Sequence, residues 1–293
     1  MQAFRKDSPI AIIGAGVMGT KVAWACARAG LETRLYDIDV EKVHDSIARA
    51  LTWSEGEEQT RVNRHLQACS DLGQTLDGVQ LAFENVFEDL GLKQKVLAEV
   101  SAELGEHAYL GSNASSLTVT PLANASGRPE RFFNMNFTDP RTSQPVELMV
   151  CTQTDASTIK FAQDWAAAIG MIPITTRKEQ MGYSFNRLWR VIKKEVLRQV
   201  AEGVILPEEI DKAWMLTFGT EYGPCGLMDE IGLHSVAKVE KCYQDDSGDP
   251  TDAPPDFLLE MVDRGDTGVG SGKGFYEYPD PVFRSEDFLK AGE

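Results

Sequence analysis

Short apolar runs and longer amphipathic stretches alternate from residue 10 to residue 175. Ile10–Ile13 is apolar at every position, as expected of a strand covered on both faces. Further strands are predicted over 31–37, 79–84, Tyr109–Ser112, 131–137, 146–151 and 171–175. Helical periodicity occupies the intervals at 17–29, 39–58, 58–69, 92–104, 115–124 and 155–169. Asp39 is placed to cap the helix that follows it, whose apolar face is Val43, Ile47, Ala50 and Leu51. Strands that alternate with helices imply an α/β, doubly wound, mostly parallel sheet. The pattern changes after Arg177. Residues 182–203, 208–218 (opened by Pro207), 226–242 and 257–264 all read as helical. A polar Pro/Asp-rich loop spans 245–255, and a glycine-rich one spans 265–274. The expected organisation is therefore two domains, 1–179 and an all-α domain at 180–293.

The first strand runs straight into Gly14-Ala15-Gly16-Val17-Met18-Gly19, which opens the first helix. Strand, G-x-G-x-x-G and helix in that order form the Rossmann dinucleotide fingerprint. Gly14 permits the tight turn, Gly16 lets the backbone approach a pyrophosphate, and Gly19 allows helix and strand to pack closely. The helix N-terminus offers N–H groups and the positive end of its dipole to phosphate. The next predicted strand ends in Asp37, an acid suited to a ribose 2′-hydroxyl. It favours NAD, because a carboxylate repels the 2′-phosphate of NADP.

Charge and composition narrow the classes further. A net charge of −16 argues against nucleic acid or an anionic membrane as partner. No apolar run is long enough for a membrane span, and the first strand begins too early to leave room for a signal peptide. Five scattered cysteines (26, 69, 151, 225 and 242) form no C-x-x-C pair, which points to reduced thiols in a cytoplasm. The four histidines (44, 65, 107 and 234) have no ligand spacing, so no metal is expected.

Several blocks in order carry a resemblance. They are the glycine loop, the stretch Phe83 to Lys95, Ser112-Asn-Ala-Ser-Ser-Leu117, Arg131 to Pro140, Asn186-Arg-Leu188, Gly223 to Leu233 and Gly272 to Tyr278. With these, the chain resembles the NAD-dependent 3-hydroxyacyl-CoA dehydrogenase family over nearly its whole length. The resemblance implies a Rossmann domain followed by a helical domain that forms a homodimer. It places cofactor contacts on Gly14, Ala15, Gly16, Val17, Met18, Gly19, Asp37, Glu88, Lys93, Asn113 and Ser115. Asp139 stands where the family carries an Asn on the nicotinamide side. The catalytic set falls on Ser115, Asn136, Glu147 and Asn186. Here the chain departs from the family, whose histidine is replaced by Asn136, while the partner acid is kept as Glu147.

Imidazole accepts a proton near neutral pH, and a carboxamide does not. A carboxamide still donates N–H groups that polarise a substrate oxygen. Three readings stay open. Glu147 takes the proton, directly or through water, while Asn136, Asn186 and Ser115 orient the oxygen. Alternatively a base comes from the helix after Tyr183, or the site has fallen silent and only binds NAD(H). On that helix Asn186, Arg190 and Lys193 share one face, so Arg190 could clamp a carboxylate and Lys193 could act as base. The bland alternative is a basic stripe paired with neighbouring acids. In the family the segment near residues 51–58 holds the CoA nucleotide. Here it ends Ser54-Glu-Gly-Glu-Glu58, and such acids would repel a polyphosphate. The expected substrate is thus a small 3-hydroxy acid or a related alcohol or carbonyl compound, with a 3-hydroxyacyl-CoA as the close alternative.

Overall fold

The computed structural model describes residues 3–290. The chain divides into two compact units between Ser184 and Phe185. The division lies a few residues beyond the boundary expected after residue 179, because 180–184 stay with the first unit. Tyr183 is fully buried there, and its hydroxyl donates to the Ala114 carbonyl at 3.0 Å.

In chain order the first unit comprises β1 (Ile10–Ile13), α1 (Val17–Arg28), β2 (Thr33–Tyr36), α2 (Val40–Leu51), α3 (Gly56–His65), β3 (Leu66–Cys69), α4 (Leu72–Leu76) and β4 (Leu81–Glu84). It continues with α5 (Leu90–Glu103), β5 (Tyr109–Ser112), α6 (Val119–Ser126), β6 (Phe132–Phe137), β7 (Pro145–Met149), α7 (Ala156–Ala168) and β8 (Ile172–Thr175). The sheet order is β3-β2-β1-β4-β5-β6-β7-β8. Strands β1 to β6 run parallel, β7 is antiparallel to β6, and β8 is parallel to β7. The two faces of β1 show why the sheet is doubly covered. Ile10 and Ile12 join a core with Trp24, Phe161 and Trp165, while Ala11 and Ile13 face the core that holds Leu97, Leu110 and Leu122. Strand order reverses beside β1, where the connections out of β1 and β4 leave a crevice at the carboxyl edge.

Some elements differ from the expectation. The helix foreseen over 39–58 stops at Leu51. Ser54 turns back to accept the Trp24 indole N–H at 2.9 Å, and α3 starts afresh at Gly56. The helix foreseen over 58–69 ends at His65, since Leu66–Cys69 pairs with β2 as an edge strand. The helix expected at 115–124 begins only at Val119, because Ser115 and Ser116 bind Glu88 instead.

The second unit is helical: α8 (Phe185–Ala201), α9 (Pro207–Phe218), α10 (Pro224–Ile231), α11 (Leu233–Ser247) and α12 (Asp256–Asp263). The single helix expected at 226–242 is split at Gly232, whose φ of 94° breaks the run. Asp211 and Asp229 anchor this unit. Asp211 accepts the Cys225 and Gly226 N–H groups at the start of α10, and Asp229 accepts those of Phe275 and Tyr276. No helix among the described residues is long and apolar enough to cross a membrane.

Candidate active site

The glycine loop sorts its three glycines by what each would meet. Gly14 has φ 102°, and a Cβ there would lie 2.9 Å from the Asn85 carbonyl. A Cβ on Gly19 would lie 1.9 Å from the Gly14 oxygen, so helix and loop could not pack as they do. Gly16 differs, because a Cβ on it meets no atom within 4 Å. The fold itself makes no steric demand for glycine there, and the open space is what an approaching pyrophosphate needs. α1 starts at Gly16 with no side-chain cap and no acid in its first turn. The N–H groups around Val17 and Met18 are therefore available to a phosphate.

Asp37 follows β2 directly and closes on this loop. Its Oδ2 accepts the Ala15 N–H at 2.8 Å and the Lys42 ammonium at 3.0 Å, and its Oδ1 accepts the Asp39 N–H at 3.2 Å. Partial burial works against the charge, but these donors hold the carboxyl below the ordinary Asp range. One carboxylate lone pair remains for a ribose hydroxyl. Two exposed apolar side chains flank the acid: Ile38, 94% exposed, and Phe87, 80% exposed. Sequence reasoning missed both. Their signal is a large apolar residue two or three positions after each of two strand ends, where an adenine ring can be sandwiched.

Glu88 links the β4 and β5 loops. Its Oε1 accepts the Ser115 N–H at 2.8 Å and the Ser116 N–H at 2.6 Å, and the Ser115 hydroxyl lies 3.3 Å away. Lys93 is enclosed more than a helix start would suggest: its ammonium is buried and donates to both oxygens of Glu84, at 2.8 and 3.1 Å, and to the Val86 carbonyl. It also lies 3.6 Å from Glu88, so it ties α5 to the loop after β4. Burial pushes the Glu84 carboxyl up, while Lys93 and the Ser112 hydroxyl counter that shift.

At the other end of the crevice Asn136 of β6 stands directly opposite Glu147 of β7. An opposed antiparallel pair puts both side chains on one face with Cβ atoms about 5 Å apart. Both residues are 7% exposed. The Glu147 Oε1 accepts the Ser184 N–H at 3.0 Å, and the Asn113 carboxamide oxygen accepts the Phe137 N–H at 3.0 Å, which fixes the end of β6. Tyr183 completes this wall. Burial, then the charges of Glu88 and Glu147, push its phenol well above the ordinary value, so it stays a neutral donor. Asp139, in the loop after β6, is bound by Lys21 at 2.8 Å and by the Arg141 fork. Partial burial would raise its carboxyl, but Arg141 and Lys21 hold it well below the usual range. The Arg141 guanidinium in turn stacks 4.5 Å above Trp53.

The histidines lie elsewhere. His107 and His65 precede β5 and β3, at the opposite edge of the sheet, and His44 is exposed on α2. His234 belongs to the second unit.

Asn186 sits half-buried in the first turn of α8, in the second unit. Arg190 and Lys193 follow it on α8, where a substrate-facing role and a basic stripe paired with neighbouring acids were the two alternatives. Lys193 pairs with buried Glu240 at 2.8 Å, and Arg190 pairs with Asp252 at 2.6 Å while lying 3.9 Å over the Tyr243 ring. Within the helical unit the acids of α11 and the 250–252 turn thus answer both charges, as the second alternative has it.

A glycine loop, a ribose acid and a paired amide and carboxylate at the crevice edge define a dinucleotide-dependent dehydrogenase. Residues 9–180 match the family described as 3-hydroxyacyl-CoA dehydrogenase, NAD binding domain, and residues 182–278 match its C-terminal domain. The chain belongs to the 3-hydroxyacyl-CoA dehydrogenase family, whose members are NAD-dependent oxidoreductases acting on CH–OH donors. Solved structures are similar over almost the whole length. M. tuberculosis FadB2 shares 27% identity, with 95% of this chain and 100% of that one covered and a TM-score of 0.86. The (S)-3-hydroxybutyryl-CoA dehydrogenase PaaH1 of Ralstonia eutropha shares 28%, with 94% and 100% covered and a TM-score of 0.84. A diketoreductase described as acting on dicarbonyl compounds shares 25%, with 95% and 100% covered and a TM-score of 0.85.

Proposed function

We propose that the chain transfers hydride between NAD and the carbinol carbon of a small 3-hydroxy acid or a related alcohol, with Asn136 and Glu147 handling the substrate oxygen. The observation that carries this is the cross-strand register of Asn136 with Glu147. On the family resemblance Asn136 stands where a histidine is usual, and no histidine among the described residues lies at that strand end. NAD, when bound, takes the hydride. The Asn136 carboxamide donates an N–H to the substrate oxygen and holds it. Glu147, oriented by the Ser184 N–H, receives the hydroxyl proton directly or through one water. Ser115 completes the proposed contacts to substrate and cofactor. The cofactor itself is held at the glycine loop, with Asp37 at the ribose, Glu88 and Asn113 fixing the loops, and Asp139 bounding the nicotinamide side.

The preference for a free acid over a CoA ester rests on Glu55, Glu57 and Glu58 at the start of α3, where a nucleotide polyphosphate would meet carboxylates. The second reading, a 3-hydroxyacyl-CoA substrate, is favoured by the family and by the substrate in the name of the R. eutropha protein. Steady-state reduction of NAD⁺ with paired free acids and CoA esters separates the two. Turnover of the acids supports the first reading, and turnover of the esters alone rejects it. Asn136→His tests the site itself. Activity that appears only in this variant would make the natural chain a silent NAD(H)-binding protein.

Association as a homodimer through the helical unit is proposed on its exposed apolar side chains. Phe185, Leu188, Val191 and Phe218 are each more than half exposed. The cysteines are free, which fits a reducing, cytoplasmic setting.

A further inference from the structure

We propose that Lys42 adapts the ribose end of the site to a second cofactor, so that the protein binds NADP(H) as well as NAD(H), with the Lys42 ammonium pairing the 2′-phosphate. The ribose acid is ordinarily read as a bar to that phosphate. Here the acid is not alone. The Lys42 ammonium lies 3.0 Å from the Asp37 Oδ2, on the first turn of α2. The Lys42 side chain is 40% exposed and that of Asp37 is 10% exposed, so the cation covers the acid from the solvent side. A ligand arriving at Asp37 therefore meets an ion pair with an accessible ammonium.

The placement of Lys42 suits a 2′-phosphate in particular. Its ammonium also lies 5.9 Å from the centre of the Phe87 ring. It thus stands between the acid proposed to take a ribose hydroxyl and an exposed apolar side chain that can cover an adenine. A lysine ammonium has three protons, and Asp37 takes one of them. The other two can bind phosphate oxygens, which Lys does as a compact point charge.

The rest of α2 supports the same field. Lys42, Ser46 and Arg49 share one face at i, i+4 and i+7. Ser46 donates to the Ala15 carbonyl at 2.8 Å, so this face looks onto the glycine loop. Arg49 reaches only the hydroxyls of Thr20 and Ser46, at 3.4 and 3.3 Å, and makes no ion pair among the described residues. Glu41 and Asp45 are exposed, Asp45 beside Lys42 and Arg49 at i+3 and i−4, and Asp39 caps the helix by accepting the Lys42 N–H, so the ammonium of Lys42 is the cation closest to Asp37 in a field that also holds acids.

The inference rests on the glycine loop and Asp37 binding a dinucleotide, and NADH binding in the same experiment tests that separately. The whole chain and its Lys42→Ala and Lys42→Arg variants are titrated with NADH and with NADPH, following nucleotide fluorescence. Wild type should bind NADPH within about a hundredfold of NADH. Lys42→Ala should weaken NADPH by about tenfold more than it changes NADH, and Lys42→Arg should recover most of the NADPH-to-NADH affinity ratio. The added NADPH affinity should fade with rising salt. Wild type that binds NADH but not NADPH overturns the proposal, as does equal NADPH affinity in wild type and Lys42→Ala. Wild type that binds neither overturns the dinucleotide site and the proposal with it.

Discussion

The two ends of the crevice are built on different principles. At the glycine loop, backbone shape carries the site: Gly14 and Gly19 are glycines because the chain passes too close to itself, and Gly16 is one although nothing in the fold opposes a Cβ. At the β6–β7 end, register carries the site: Asn136 and Glu147 face each other across two antiparallel strands, whatever chemistry their side chains have. A backbone device tolerates almost no change, because each atom of a substituent meets main chain. A register device keeps its geometry while its functional group is exchanged. On the proposed reading, this difference lets a carboxamide stand at the β6–β7 end while the glycine loop keeps its pattern intact.

Substitutions can break or sharpen this contrast. The largest effect is expected at Gly19→Ala, whose methyl would sit 1.9 Å from the Gly14 carbonyl. It should cost about 3 kcal/mol of stability in chemical unfolding and abolish NADH binding. Gly16→Ala should cost no more than about 1 kcal/mol of stability, the ordinary loss at an N-cap, yet weaken NADH by about tenfold or more. Equal losses of stability in the two variants would remove the distinction between a glycine needed by the fold and one needed by the ligand. A smaller effect is expected at Asp139. Its folded carboxyl lies well below the ordinary value, so its stabilising contribution is present above the unfolded pKa and is lost as pH falls below about 4. Asp139→Asn should therefore be less stable than wild type near neutrality, by about 1 kcal/mol after allowing for its partial exposure, and the gap should close in acid. A gap that is constant with pH would show that Lys21 and Arg141 do not stabilise the ionised form.

Features that depend on local spacing were legible in the sequence. The glycine loop, the acid after β2 and the sheet with its helical second half follow from nearest-neighbour pattern and turn chemistry. Features that depend on distant partners were not. Lys93 looks like a solvated helix residue until Glu84 and Val86 are seen to enclose it. Arg190 and Lys193 look free on a basic helix, but their partners Glu240 and Asp252 come from elements some fifty to sixty residues later. Leu66–Cys69 has too few residues to declare a period, and only pairing with Thr33–Tyr36 makes it a strand. Glu147 is visible as an acid in an apolar run, but its position opposite Asn136 is a matter of register that no single-strand pattern encodes.

The central claim is that Glu147, across from Asn136, receives the proton in place of an imidazole. The most direct measurement is the single-turnover rate of NAD⁺ reduction, taken against pH for wild type and Glu147→Gln with the best 3-hydroxy substrate. NADH affinity is measured alongside as a control. The account predicts a fall of about a hundredfold or more in Glu147→Gln with unchanged NADH binding. A variant that reduces NAD⁺ as fast as wild type across the same pH range would contradict it.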